Sequence, residues 1–139
     1  MHSFSLVDKA SVSEARQLVR SQLNGLGVEP SLSFECVLAM TEACTNALIH
    51  GADEGAPPPE LSWVIDERSA SFSIRDYSSQ TWSPPAPTSD RSHDLDDLQP
   101  GGLGIEIMRD LMDEVTIVRS HPGAEVSMTK YLSQVRVRA

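Results

Sequence analysis

The chain is poor in cysteine, in aromatic residues and in positive charge. It has two cysteines in 139 residues, and Phe, Trp and Tyr together make up 5%. No CxxC pair or Cys/His cluster has the spacing of a zinc site. Cys36 and Cys44 fall within one helical pattern, about 12 Å apart along the axis, too far for a disulfide. Two reduced, buried thiols suit the cytoplasm. Lys and Arg number 11 against 20 Asp and Glu, a net charge of −9. That balance argues against nucleic acid or an anionic membrane as the main partner, since each would want a basic face. No apolar run approaches the ~18 residues of a membrane span. Met1 to Ser5 has neither the basic nor the apolar region of a signal peptide, so a cytoplasmic protein is expected. A small anion stays open as a ligand. Backbone N–H groups and a bound metal hold phosphates without net positive charge.

Apolar residues make up 40% of the sequence, and the length suits one domain over residues 1–139. Phe4 to Val7 reads as a short edge strand. Residues 11–24 read as a helix capped by Ser11 or Ser13, with Ala15, Leu18, Val19 and Leu23 at helical spacing. Asn24-Gly25-Leu26-Gly27 stops it. A second helix runs over about 32–50, with Leu32, Phe34, Val37, Leu38, Thr41, Cys44, Thr45 and Leu48 on one broad side. The Pro-rich stretch to Pro59 is a loop. Residues 60–66 and 70–76 alternate apolar and polar and pair as a hairpin about Glu67-Arg68-Ser69. Residues 77–101 are rich in Ser, Pro and Asp and too long for a simple connection. A helix follows over 102–112, then a hairpin of 115–119 and 126–132 turning at His121-Pro122-Gly123. The order predicts a two-layer α+β domain with a mostly antiparallel sheet.

Three features could carry chemistry. In the second helix, Glu42 and Asn46 stand at i and i+4 on one strip, and His50 continues it before Gly51. A carboxylate beside a carboxamide can orient a hydroxyl and hold Mg²⁺, which takes hard oxygen ligands. Taken alone, such a pair is more often a solvated polar strip. Next, Pro100-Gly101-Gly102-Leu103-Gly104 runs into a helix, where glycines let the backbone approach an anion. Taken alone, a glycine cluster is more often a hinge. Third, Asp76 ends a strand, where a carboxylate can accept a hydrogen bond from a base amino group or simply form a turn.

Their order and spacing resemble the GHKL ATPase superfamily, whose ATP-binding domain is the Bergerat fold. The wording of Thr41–Gly51, of Gly102–Met108 and of Met112-Asp113-Glu114-Val115 resembles most closely the anti-sigma factor serine/threonine kinases of bacterial partner-switching systems, the RsbW type. The resemblance covers nearly the whole chain. It implies ATP and Mg²⁺ as cofactors, with Glu42 as general base on a substrate serine and Asn46 as Mg²⁺ ligand. His50 and Gly51 would lie near the phosphates or lid. Asp76 would read the adenine amino group. Gly101, Gly102, Leu103 and Gly104 would lie on the phosphate side, and residues 80–100 would form the ATP lid. It implies a sigma factor and a STAS-type anti-sigma antagonist as partners, and a homodimer for which Phe4, Leu6 and the first helix are candidate contacts.

The chain departs from the family pattern in three places. Ser78 and Gln80 stand where D-x-G-x-G has glycines. Ala124, not Thr, follows Gly123. Asp90, Asp94, Asp96 and Asp97 against Arg91 make the lid acidic. These bear on nucleotide affinity more than on the fold. Two alternatives follow: a non-catalytic partner-binding module of the same fold, and a switch kinase that holds no sigma factor. A sensor histidine kinase is disfavoured, because there is no dimerisation helix with a phosphoacceptor His.

Overall fold

A computed structural model describes residues 2–50, 56–77, 102–119 and 123–132. The elements run β1 (His2–Ser5), α1 (Lys9–Gly25), α2 (Pro30–His50), β2 (Glu60–Ile65), β3 (Ser69–Asp76), α3 (Gly102–Leu111), β4 (Glu114–Arg119) and β5 (Ala124–Tyr131). The strands form one sheet in the order β1-β2-β3-β5-β4, and each described pairing is antiparallel. The lid over 80–100, Gly51, Gly101, Ser78, Gln80 and the His121-Pro122 turn lie outside the described residues.

Strand alternation sets the two faces of the sheet. Leu61, Trp63, Ala70, Phe72, Ile74 and Met128 are buried, as the period-2 pattern predicts. The register seats Leu61 opposite Ile74, Trp63 opposite Phe72, and Phe72 opposite Met128. The intervening positions carry small hydroxyls. Ser71 meets Thr129 at 3.2 Å and Ser73 meets Ser127 at 3.4 Å across the β3–β5 pair. Trp63 is the largest fully buried side chain, and its indole N–H donates to Gln22 Oε1 at 3.2 Å, which ties the sheet to α1. Leu6 is fully buried and belongs to this core, so it is not a dimer contact. Phe4 is half-buried beside the Trp63 ring.

Helix ends follow local chemistry. Asp8 caps α1, not Ser11 or Ser13: its Oδ1 accepts from both the Ser11 N–H and the Ser11 hydroxyl at 3.0 Å. Ser11 is instead buried and accepts from the Val7 N–H. The inward stripe of α1 is Val12, Ala15, Val19 and Leu23, while Leu18 is exposed. At the far end Gly27 takes φ +73, with Gly27 N–H donating to Asn24 O and Val28 N–H to Leu23 O. Only glycine takes that left-handed closure cheaply, so the stop signal works as read.

The inward side of α2 differs from the sequence expectation. Ser33, Cys36, Val37, Met40, Ala43, Cys44 and Ala47 are buried, whereas Phe34 is 65% exposed and Thr45 is exposed. Small side chains on the buried face let α2 lie close to its neighbours, and the bulky Phe34 is turned outward. Over Pro30–Ile49 the helix has a mean hydropathy of 1.2, so by length and composition it could cross a membrane, although no such run is evident to a count of apolar residues. Half of that stretch is buried against the rest of the domain, as befits a core helix.

Candidate functional site

The site is built on α2 and α3, which pack against each other. Asn46 lies on the buried side of α2 at 8% exposure, and its Nδ2 has no hydrogen-bond partner. A buried, unpaired carboxamide nitrogen costs about 1–3 kcal/mol. Such a group is kept where a ligand rather than the protein completes it. Glu42, one turn earlier, is half-buried. The two residues therefore form the strip that the spacing predicts, with its Asn end sunk inward. His50 closes α2 as its last residue.

Gly102 opens α3 and Gly104 lies in its first turn. The helix read over 102–112 is found as Gly102–Leu111, with both glycines inside it. The first N–H groups of a helix lack intrahelical partners. Those of residues 102–104 are thus donors at the positive end of the helix dipole. Ile105 and Met108 anchor the buried side of α3.

Asp76 ends β3 and is half-buried. Gly123, at φ +95, lies so close that a Cβ there would come within 2.1 Å of the Asp76 carbonyl oxygen. Tyr77 turns away onto the other face of the sheet, where its hydroxyl donates to Glu60 and Arg75 sits 5.3 Å above its ring. Partial desolvation, and then the Glu60 hydrogen bond, raise the phenol above its usual pKa.

Among the described residues there is no group of three or more His, Cys, Asp or Glu that could hold a metal. A metal caged by protein alone does not fit. One held by a single side chain and by ligand phosphates does, since Mg²⁺ keeps water and phosphate ligands. Of the two motif side chains on α2, the Asn46 carboxamide has a neutral oxygen of the kind such a single ligand would use, while its unpaired Nδ2 is a donor that a ligand oxygen would satisfy.

A second feature was missed in the sequence. A groove of about 770 Å³ lies between α1 and the second half of α2, lined among others by Lys9, Val12, Arg16, Thr41, Thr45 and Ile49. Arg16 Nε is buried there without a partner. Asp8 also lines the groove, but its Oδ1 is engaged by Ser11. The signal was the seven-residue interval between Lys9 and Arg16, two turns apart on one helix face.

The pattern of the histidine kinase-like ATPase domain matches residues 6–130. The chain is 34% identical to serine-protein kinase RsbW of Bacillus subtilis over 134 residues, which cover 86% of this chain and 80% of that protein. It is 31% identical to serine-protein kinase RsbW of Staphylococcus aureus, over 87% of this chain and 82% of that protein.

Proposed function

Given that the chain belongs to the histidine kinase-like ATPase family and to its RsbW-type protein serine/threonine kinases, we propose that it is an ATP- and Mg²⁺-dependent serine kinase and anti-sigma factor of a partner-switching system. Its substrate is a STAS-type anti-sigma antagonist. The observation that carries this is the buried Asn46, whose Nδ2 donor has no partner, one helical turn from Glu42 on a helix packed against the glycine-opened α3.

Each residue has a role that phosphoryl transfer requires, which is mainly positioning and charge neutralisation. Glu42 accepts the proton of the substrate hydroxyl. The hydroxyl oxygen then bonds to the γ-phosphorus, the bond to the β-bridging oxygen breaks, and ADP leaves. The N–H groups of residues 102–104 donate to phosphate oxygens. Asp76 accepts from the adenine amino group. Asn46 holds Mg²⁺, which neutralises phosphate charge when bound. The family resemblance alone assigns His50, Gly51 and Gly101 to the phosphate side and the 80–100 segment to the ATP lid.

The groove beside α1 is the surface for the sigma factor. In a chain of net charge −9, Lys9 and Arg16, whose Nε has no partner, are an unusual cationic spot and suit an acidic segment. The kinase works in the cytoplasm as a homodimer, with the outward Leu18 side of α1 available for contact.

The test is Mg-ATP titration by calorimetry with phosphotransfer to a cognate STAS antagonist. Wild type should bind, Glu42→Ala should bind yet transfer nothing, and Arg16→Ala should bind Mg-ATP normally while losing sigma factor. Absence of Mg-ATP binding at millimolar concentration would leave the partner-binding module as the correct reading.

A further inference from the structure

Lys130 is the one buried charged side chain among the described residues of the core, at 9% exposure. It stands on β5 at a position whose neighbours Met128 and Leu132 also face inward. Its Nζ donates to the backbone carbonyl of Leu111 at 2.6 Å and pairs with Glu35 Oε1 at 2.6 Å. Leu111 is the last residue of α3, and Glu35 lies near the start of α2. One ammonium thus joins a strand and the two helices that carry the proposed phosphate site. Two further bonds tie the same corner to β5: Asp113 N–H donates to Thr129 O at 3.0 Å, and Tyr131 N–H donates to Asp113 Oδ2 at 2.6 Å.

Stability alone does not account for a cation here. Burying an ion pair usually costs as much as it returns, and a methionine of similar length would fill the space. What the ammonium adds is direction. It caps the negative end of α3 and fixes that end against α2. The opposite end of α3, with Gly102 and Gly104, is about 10–14 Å away along the axis, so a tilt of about 5° moves it by about 1 Å. A displacement of that size is enough to spoil phosphate hydrogen bonds.

We propose that Lys130 is a positioning residue for the triphosphate: through Leu111 O and Glu35 it sets the angle of α3 against α2, and so the distance of the α3 N–H groups from the ligand held at Asn46. This inference rests on the nucleotide-binding reading above. Adenosine should be indifferent to it, because adenine is read at Asp76 on the far side of the site.

The experiment compares Mg-ATP and adenosine binding to wild type, Lys130→Met, Lys130→Arg and Glu35→Gln. Lys130→Met should weaken Mg-ATP about tenfold, the worth of one charge-assisted hydrogen bond, and raise KM for ATP more than it lowers kcat. Its adenosine affinity should stay within about twofold of wild type. Lys130→Arg should recover most of the loss, and Glu35→Gln should show a smaller loss of the same kind. Unchanged Mg-ATP affinity in Lys130→Met, or equal loss of ATP and adenosine, overturns the proposal. If Lys130→Met does not fold, Glu35→Gln carries the test, and unchanged triphosphate affinity there overturns it. A wild type that binds no Mg-ATP instead refutes the kinase reading itself.

Discussion

Gly123 touches the backbone of Asp76 so closely that no side chain fits between them. An added Cβ would lie 2.1 Å from the Asp76 carbonyl oxygen and 3.2 Å from Tyr77 Cα. The φ of +95 at Gly123 adds strain to any replacement. Gly123→Ala should therefore cost about 1–3 kcal/mol in thermal unfolding. If Asp76 reads adenine as proposed, the same change should weaken adenosine and ATP alike, because Asp76 is the residue that yields. Calorimetry with both ligands checks this, and selective loss of ATP would contradict it.

Asn46 offers the opposite signature. Its Nδ2 is already unpaired, so Asn46→Leu removes a group that the empty fold does not satisfy. Stability without ligand should stay within about 1 kcal/mol of wild type, or rise. Mg-ATP binding should be lost. Thermal unfolding with and without Mg-ATP separates the two effects, and a clear loss of stability without ligand would mark Asn46 as a structural residue.

The Asp8 cap bears on the groove as well as on α1. Asp8→Ala leaves the Ser11 N–H without its side-chain acceptor and should cost about 1 kcal/mol. Because Lys9 and Arg16 line the groove on the same helix, sigma-factor affinity should fall with it. Mg-ATP affinity should not. Denaturant unfolding and two binding titrations check the three parts.

Burial pushes the thiols of Cys36 and Cys44 from 9.0 up to about 12. For Cys36 the Lys130 ammonium partly offsets this. The folded pKa lies above the unfolded one, so this contribution to stability is complete below pH 9 and is lost as pH rises toward 12. Native protein at pH 8 should react slowly with a disulfide reagent, and both thiols should react at once in denaturant. Cys44→Ala should reduce the loss of stability above pH 9. Rapid modification of the native protein would show that the helix opens around them.

Much of the fold was legible because the strands alternate cleanly and the helix stops are chemically explicit. Leu61, Trp63, Phe72 and Ile74 sit inward as their period demands, and Gly27 closes α1 where its sequence says. The inward face of α2 was not legible. The helix is apolar nearly all round, so periodicity carries little information, and small residues won the buried side over Phe34. Glu42, Asn46 and the α3 glycines were found by spacing within one element. Lys130, Arg16 and the Gly123–Asp76 contact were not, since each depends on elements distant in the chain. For Lys130 a clue existed in its parity with Met128, but an inward lysine runs against the ordinary preference of that residue.

The sheet order has a consequence for how the protein comes into being. β5 lies between β3 and β4, so the last described strand occupies an interior place in the sheet. The opening strand β1 waits for β2, some sixty residues later, before it has any partner. A nascent chain lacking Ala124–Tyr131 has neither the neighbour of Asp76 nor the lysine that anchors α3. The neighbour of Asp76 and the anchor of α3 therefore arrive together with β5, and such non-local pairing folds slowly.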